Sequence, residues 1–163
     1  MQIRPATPAD VPAITAIYNE GIAGRQATFE TRPRAPDEVA PWLEERRPLL
    51  VAEDGGAVVG FARVSGYSDR CVYEGVGEHG VYVSASAQGR GIGRALLDAL
   101  SAAAEREGYY KLTSRIFATN AASLAVHRAA GFDEVGLQRR HGRLDGEWRD
   151  CVLVERLLGE ALR

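Results

Sequence analysis

Apolar residues recur at helical spacing through Val11, Ile14, Ile17, Tyr18 and Ile22, which predicts a helix with one buried face. Its start is marked by Thr7-Pro8-Ala9-Asp10: a capping hydroxyl, a proline in the first turn and an acid three residues on. Gln2 to Arg4, just before it, reads as a short strand. Asp37 to Arg47 predicts a second helix through Val39, Trp42 and Leu43, with Pro41 either in its first turns or kinking it. Leu49 to Glu53 and Ala57 to Val64 read as two strands, and the Asp54-Gly55-Gly56 between them is a hairpin signal. A loop from Ser68 to Glu74 leads to the strand Val76 to Ser84. A glycine-rich turn then opens a helix that runs to about Arg106 and stops at Gly108. Tyr109 to Phe117 is a strand, Ala121 to Ala130 a short helix closed by Gly131, and Phe132 to His141 a strand. Asp145-Gly146 turns the chain into the last strand, Trp148 to Leu157. The order β-α-α-β-β-β-α-β-α-β-β mixes hairpins with helical crossovers, so the expected fold is an α/β sheet with helices on both faces.

No linker, repeat or low-complexity stretch interrupts this order, and 163 residues suffice for one core, so residues 1–163 are expected to form a single domain. A formal charge of −2 gives no basic field to attract nucleic acid. No apolar run is long enough to span a bilayer, and Met1-Gln2-Ile3-Arg4-Pro5 lacks the charged-then-apolar layout of a signal peptide, which points to the cytoplasm. Cys71 and Cys151 stand far apart without neighbouring His or Cys ligands. They read as free thiols, and no metal site is expected.

The strongest chemical signal is Gln88-Gly89-Arg90-Gly91-Ile92-Gly93-Arg94, set between the apolar strand Val81-Tyr82-Val83 and the helical run Ala95 to Leu100. Glycines let backbone approach a phosphate, and the free amides of a first helical turn point at it with the positive end of the helix dipole. The stretch lacks both the G-x-G-x-x-G of a dinucleotide site and the Gly-Lys-Ser/Thr of a triphosphate loop. Its Q-x-x-G-x-G pattern resembles the pyrophosphate loop of the GNAT acetyltransferases, which hold acetyl-coenzyme A; a plain strand-to-helix turn is the alternative. The resemblance continues in Asn120-Ala121-Ala122-Ser123, His127 and Gly131-Phe132, similar to the asparagine-led helix whose start contacts the pantetheine arm. Asn120 and Gly131 also fit as helix caps, so for Asn120 capping and ligand contact stand side by side.

Within that family the chain looks most like the phosphinothricin, methionine sulfoximine and arsinothricin acetyltransferases. The residues that carry this likeness are Ile17-Tyr18-Asn19, Ala27-Thr28-Phe29-Glu30, Arg70 and Tyr73 before Glu78, the histidine-bearing helix from Leu124 to Gly131, and Gly146-Glu147-Trp148-Arg149-Asp150. Tyr67 to Tyr73 and Arg140 to Gly146 look most like the arsinothricin branch. The resemblance implies the GNAT fold, a mixed and mostly antiparallel sheet. It implies acetyl-coenzyme A held by Val81, Tyr82, Val83, Gln88, Gly89, Arg90, Gly91, Ile92, Gly93, Arg94, Asn120 and Ser123. It further implies a homodimer.

Acetyl transfer to an amine requires deprotonation of the nucleophile, polarisation of the thioester carbonyl, relief of the leaving thiolate and alignment of the acceptor. Glu78 is the candidate base, on the face of its strand shared by Val76, Gly80 and Tyr82; a glutamate paired with a nearby arginine is the other reading. His127 stands where many of the family carry a tyrosine proposed as general acid. Its ordinary pKa of about 6.5 suits proton traffic, although the helix dipole alone also favours a histidine there. Amides near Val81 to Val83 would polarise the carbonyl if strand pairing is interrupted at that point. Arg70 offers a planar fork for a carboxylate or phosphinate, Tyr73 an aromatic wall, and Phe29 and Glu30 a gate at the amine end. The expected reaction is N-acetylation of a small acidic amino-acid analogue, conferring resistance. A protein or peptide N-terminal acetyltransferase and a non-catalytic coenzyme A-binding module are the alternatives.

Overall fold

The chain forms seven strands: β1 (Gln2–Pro5), β2 (Leu49–Asp54), β3 (Ala57–Gly66), β4 (Val76–Val83), β5 (Lys111–Phe117), β6 (Asp133–Leu144) and β7 (Glu147–Leu157). The helices are α1 (Val11–Gly24), α2 (Pro36–Val39), α3 (Ile92–Arg106) and α4 (Ala121–Ala129) in this computed structural model, which describes residues 1–163. The strands form one sheet in the order β1-β2-β3-β4-β5-β7-β6. Every neighbour pair is antiparallel except β4 with β5, which makes the expected α/β class a mixed, mostly antiparallel sheet.

Burial explains why the helices divide between two faces. Val11, Ile14 and Ile17 of α1 pack with Val39 of α2 on Leu49, Val51 and Phe61. On the opposite face Ile92, Leu96, Leu97 and Leu100 of α3 and Leu124 of α4 close over Ala62, Val64, Leu112, Ile116 and Val154. α1 comes so close to the sheet that a Cβ on Gly21 would lie 2.7 Å from the Tyr82 ring. Two hairpins turn in two residues with positive φ, Gly55-Gly56 (58° and 82°) and Asp145-Gly146 (51° and 82°), the geometry whose twist matches paired strands.

Three boundaries differ most from the sequence reading. The helix expected over residues 37–47 is a single α-turn, Pro36–Val39, followed by a 3-10 segment, Ala40–Glu44. Pro41 lacks the N–H that would continue the α ladder and crowds the preceding turn. β5 begins at Lys111, because the Tyr109 and Tyr110 amides are bonded to Ala104 and Gly75 as the chain leaves α3. β6 continues to Leu144 through a register shift between Gln138 and Gly142, with Arg140 at φ 48° and its amide held by Asp150 at 2.8 Å.

Candidate active site

The chemistry gathers where β4 and β5 part. Their parallel ladder has only the rungs Val76↔Lys111, Gly77↔Leu112 and Glu78↔Thr113. Beyond Glu78, β4 pairs only with β3 and β5 only with β7, so a gap opens in the middle of the sheet toward the glycine loop. The Ser84 amide donates to the Val59 carbonyl at 2.8 Å, which fixes the alternation of the β3–β4 ladder. The Gly80 and Tyr82 amides therefore face β3, and those of Val81 and Val83 face the gap. The interruption needed for an amide donor to a thioester carbonyl is thus present.

Glu78 is the last β4 residue on the ladder and shares the α1 face with Tyr82. It is half-buried, and its carboxylate makes no ion pair and no side-chain hydrogen bond. The arginine-paired alternative is therefore absent, leaving a carboxylate free to accept a proton at the mouth of the gap.

The loop after β4 meets the requirements of a phosphate site. A 3-10 turn, Ala85–Ala87, is held by Glu20 of α1, whose carboxylate accepts from the Ala85 amide at 2.8 Å. Gln88 folds its side-chain amide back to the Val83 carbonyl at 3.4 Å. Gly89 and Gly91 then take φ of 78° and 79°, and a Cβ on either would meet no atom within 4 Å. α3 starts at Ile92 with no side-chain cap, and its first amide bond runs from Ala95 to the Gly91 carbonyl. The amides from Gln88 to Arg94 consequently have no acceptor within the chain. A run of free amides at a helix N-terminus, rimmed by Arg90 and Arg94, fits the pyrophosphate of coenzyme A. Arg90 is meanwhile paired with Asp54, and Arg94 lies 3.8 Å from Asp98. Gly91→Val would place a β-branched residue at positive φ, costing about 1–2 kcal/mol and misdirecting the amides. The expected result is a rise of about tenfold or more in the KM for acetyl-coenzyme A with little change in kcat, measured by steady-state thiol release.

At the start of α4, Asn120 does two jobs. Its Oδ1 accepts from the Ser123 amide at 3.1 Å, and its Nδ2 donates to the Gln26 carbonyl at 3.0 Å, tying the α1–α2 loop to this helix. One turn on, Nδ1 of His127 donates to the Ser123 carbonyl at 2.8 Å and its Nε2 lies 3.0 Å from Nε2 of His79. Both histidines are buried under the α3–α4 face, opposite to Glu78. Burial lowers the pKa of each, and for His79 the neighbouring His127 lowers it further. The unfolded chain then binds more protons below about pH 6.5, so stability is complete above that pH and declines as pH falls. An acid titration of urea midpoints is expected to show a loss of about 1.4 kcal/mol per pH unit for each histidine that titrates only in the unfolded chain.

The structure spreads the other expected site residues apart. Arg70 and Tyr73 meet in the β3–β4 loop at the foot of β4, the guanidinium 5.8 Å from the ring, and Tyr67 stands edge-on to Tyr73. Arg70 has no carboxylate partner and is exposed. Phe29, in the loop between α1 and α2, is half-buried. It packs edge-on against Phe117 at 4.8 Å and joins Leu144 and Cys151, and a Cβ on Gly142 would lie 2.8 Å from its ring. Glu30 is exposed and paired with Arg34 at 2.7 Å. Sequence reasoning missed His79, Glu20 and Gln26. A histidine alternating with Val81 and Val83 was the one available signal, and its partner lies 48 residues away.

Residues 15–132 match the acetyltransferase (GNAT) family. The chain is 34% identical to the L-methionine sulfoximine/L-methionine sulfone acetyltransferase of Salmonella typhimurium, over 98% of this chain and 96% of that protein. It is 37% identical to the phosphinothricin N-acetyltransferase of Alcaligenes faecalis, over 91% of this chain and 78% of the relative. The solved structure of yncA from Salmonella typhimurium with its cofactor acetyl-CoA superimposes with a TM-score of 0.94 at 34% identity, covering 98% of this chain and 95% of that one. Gap, amide nest and free carboxylate thus occur in a chain that belongs to the GNAT family and is an acetyl-coenzyme A-dependent N-acetyltransferase.

Proposed function

We propose that this enzyme acetylates the α-amine of a small acidic amino-acid analogue of the phosphinothricin, methionine sulfoximine or arsinothricin type, and so confers resistance to it. The observation that carries the reading is the unpaired Glu78 carboxylate at the end of the β4–β5 ladder, with the partnerless Arg70 fork in the loop that leads to it. Glu78 takes the proton of the incoming ammonium, directly or through water, and the amine attacks the thioester without a covalent enzyme intermediate. The Val81 and Val83 amides stabilise the developing oxyanion, and Arg70 with Tyr73 holds the acidic end of the acceptor. The amides of Gln88, Gly89, Arg90, Gly91, Ile92, Gly93 and Arg94 hold the pyrophosphate, while Asn120 and Ser123 position the pantetheine arm. When bound, acetyl-coenzyme A supplies the activated acyl group. His127, as part of its hydrogen-bonded pair with His79, is assigned to the proton that the leaving thiolate requires. The relatives named for phosphinothricin and methionine sulfoximine support the substrate class.

A homodimer is part of the proposal. The edge strand β6 carries Val135 and Leu137 at 53% and 56% exposure, an apolar edge suited to covering by a second copy. The cytoplasm is the proposed compartment, in keeping with the lack of any helix long and apolar enough to cross a membrane.

Thiol release from acetyl-coenzyme A against phosphinothricin, methionine sulfoximine, arsinothricin, common amino acids, an aminoglycoside and a short peptide tests the reading. Turnover concentrated on the acidic analogues is expected. Preferential turnover of the peptide would overturn the substrate class.

A further inference from the structure

His79 and His127 meet at 3.0 Å between their Nε2 atoms, with the side chains only 4% and 3% exposed. His79 is the first β4 residue past the last rung with β5, so the pair lies beneath the apex of the gap. Its surroundings are apolar: the Phe132 ring lies 4.7 Å from the His79 ring and 5.1 Å from that of His127. The polar neighbours are the Ser123 carbonyl, the Ser123 hydroxyl at 3.4 Å from His127 Nδ1, and the Thr113 backbone; no charged side chain is bonded to either ring.

Elementary hydrogen-bond chemistry then assigns the protons. A carbonyl only accepts, so His127 Nδ1 carries a proton toward Ser123. Two lone pairs cannot face each other at 3.0 Å, so one proton lies between the Nε2 atoms, and in the neutral pair it belongs to His79. The remaining nitrogen, His79 Nδ1, is unprotonated, and it is a buried polar atom without a hydrogen-bond partner. Both nitrogens of His127 are committed, which a reading of His127 as a lone acid overlooks.

We infer that His79 is the positioning residue for His127, and that the two rings act as one unit holding a single extra proton, loaded and released at His79 Nδ1. On loading, an N–H bond forms at His79 Nδ1 beside the Thr113 backbone while the shared proton stays between the Nε2 atoms. Release breaks that same bond and restores the neutral pair. A second added proton would set two cations face to face in an apolar site, so the unit stops at one. The inference deepens the role proposed for His127 and rests on that reading only in its kinetic part.

Long-range proton–nitrogen NMR spectra of imidazole-labelled protein test it. At neutral pH His127 is expected to be protonated at Nδ1 and His79 at Nε2, and acidification is expected to load one proton at His79 Nδ1 in a transition that both rings report. His79→Asn retains an N–H donor for His127 Nε2, so it keeps the His127 tautomer while removing the loading nitrogen. His79→Leu removes both and is expected to move the His127 titration upward. In kinetics, the acid limb of kcat shifts by about one pH unit in His79→Leu, and His79→Asn, which keeps the donor to His127 but not the loading nitrogen, restores only part of the neutral-pH kcat lost in His79→Leu. A protonated Nδ1 on His79 at neutral pH, two independent transitions, or pH profiles unchanged in both variants would overturn the inference. The spectra of the unsubstituted protein decide the proton positions even if the Leu variant fails to fold or every candidate acceptor proves inert.

Discussion

Glu78→Gln is expected to lower kcat roughly a hundredfold to ten-thousandfold while leaving the KM for acetyl-coenzyme A nearly unchanged. The substitution is close to isosteric, and the carboxylate it replaces supports no ion pair and no hydrogen bond, so the fold loses nothing that the structure records. The backbone of Glu78 keeps its rung with Thr113, and its carbonyl still accepts from the Ser65 hydroxyl at 3.3 Å. What disappears is the only acceptor that this position offers an ammonium proton. The deficit should shrink as pH rises, because the free amine then reaches the site already deprotonated. Steady-state kinetics across pH with one acidic analogue checks both statements, and unchanged turnover in the variant would remove Glu78 from the mechanism.

The largest stability effect is expected from Phe61→Ala. Phe61 is fully buried in the middle of β3, stacked on Tyr82 at 5.1 Å with an interplanar angle of 10°, and it lies within 6.0 Å of Trp42 and 6.5 Å of Tyr18. Removing the ring leaves a cavity between α1 and the sheet that β-strand backbone cannot collapse to fill, at a cost of about 3–5 kcal/mol. For a chain of this size that corresponds to a fall in Tm of roughly 6–20 °C, measurable by calorimetry. The same cavity loosens Tyr82, whose strand presents the Val81 and Val83 amides to the gap. A rise in the acetyl-coenzyme A KM should therefore accompany the lower Tm.

Apolar runs and helical spacing were sufficient to read the strands and the two long helices, because β2 and β3 are buried on both faces while α1 and α3 each bury one. The second helix was misread because Val39, Trp42 and Leu43 hold helical spacing while Pro41 breaks the hydrogen-bond ladder beneath them. The cofactor loop was legible for a local reason: glycines, strand end and helix start are all adjacent in the chain. The gap was not legible, since it depends on where β5 leaves β4 for β7, and no residue in either strand announces that choice. The packing of Phe29 was not legible because a loop aromatic looks the same in sequence whether it stands free or lies against Gly142 and Phe117. The histidine pair escaped notice because its two members come from a strand and a helix that meet only in the folded chain.

The ion pair between Arg90 and Asp54 gives the anion loop an internal counterion, supplied by the hairpin that joins β2 to β3. The guanidinium beside it holds the Asp54 carboxyl below the usual carboxylate range, so the pair is formed throughout the neutral region. A polyphosphate arriving at the loop would therefore exchange one partner of Arg90 for another, displacing a carboxylate tethered to the protein in place of a salt ion from solution. Affinity for the cofactor would then vary less steeply with ionic strength than the number of nearby arginines suggests, because the screening ion at this position is a residue of the chain.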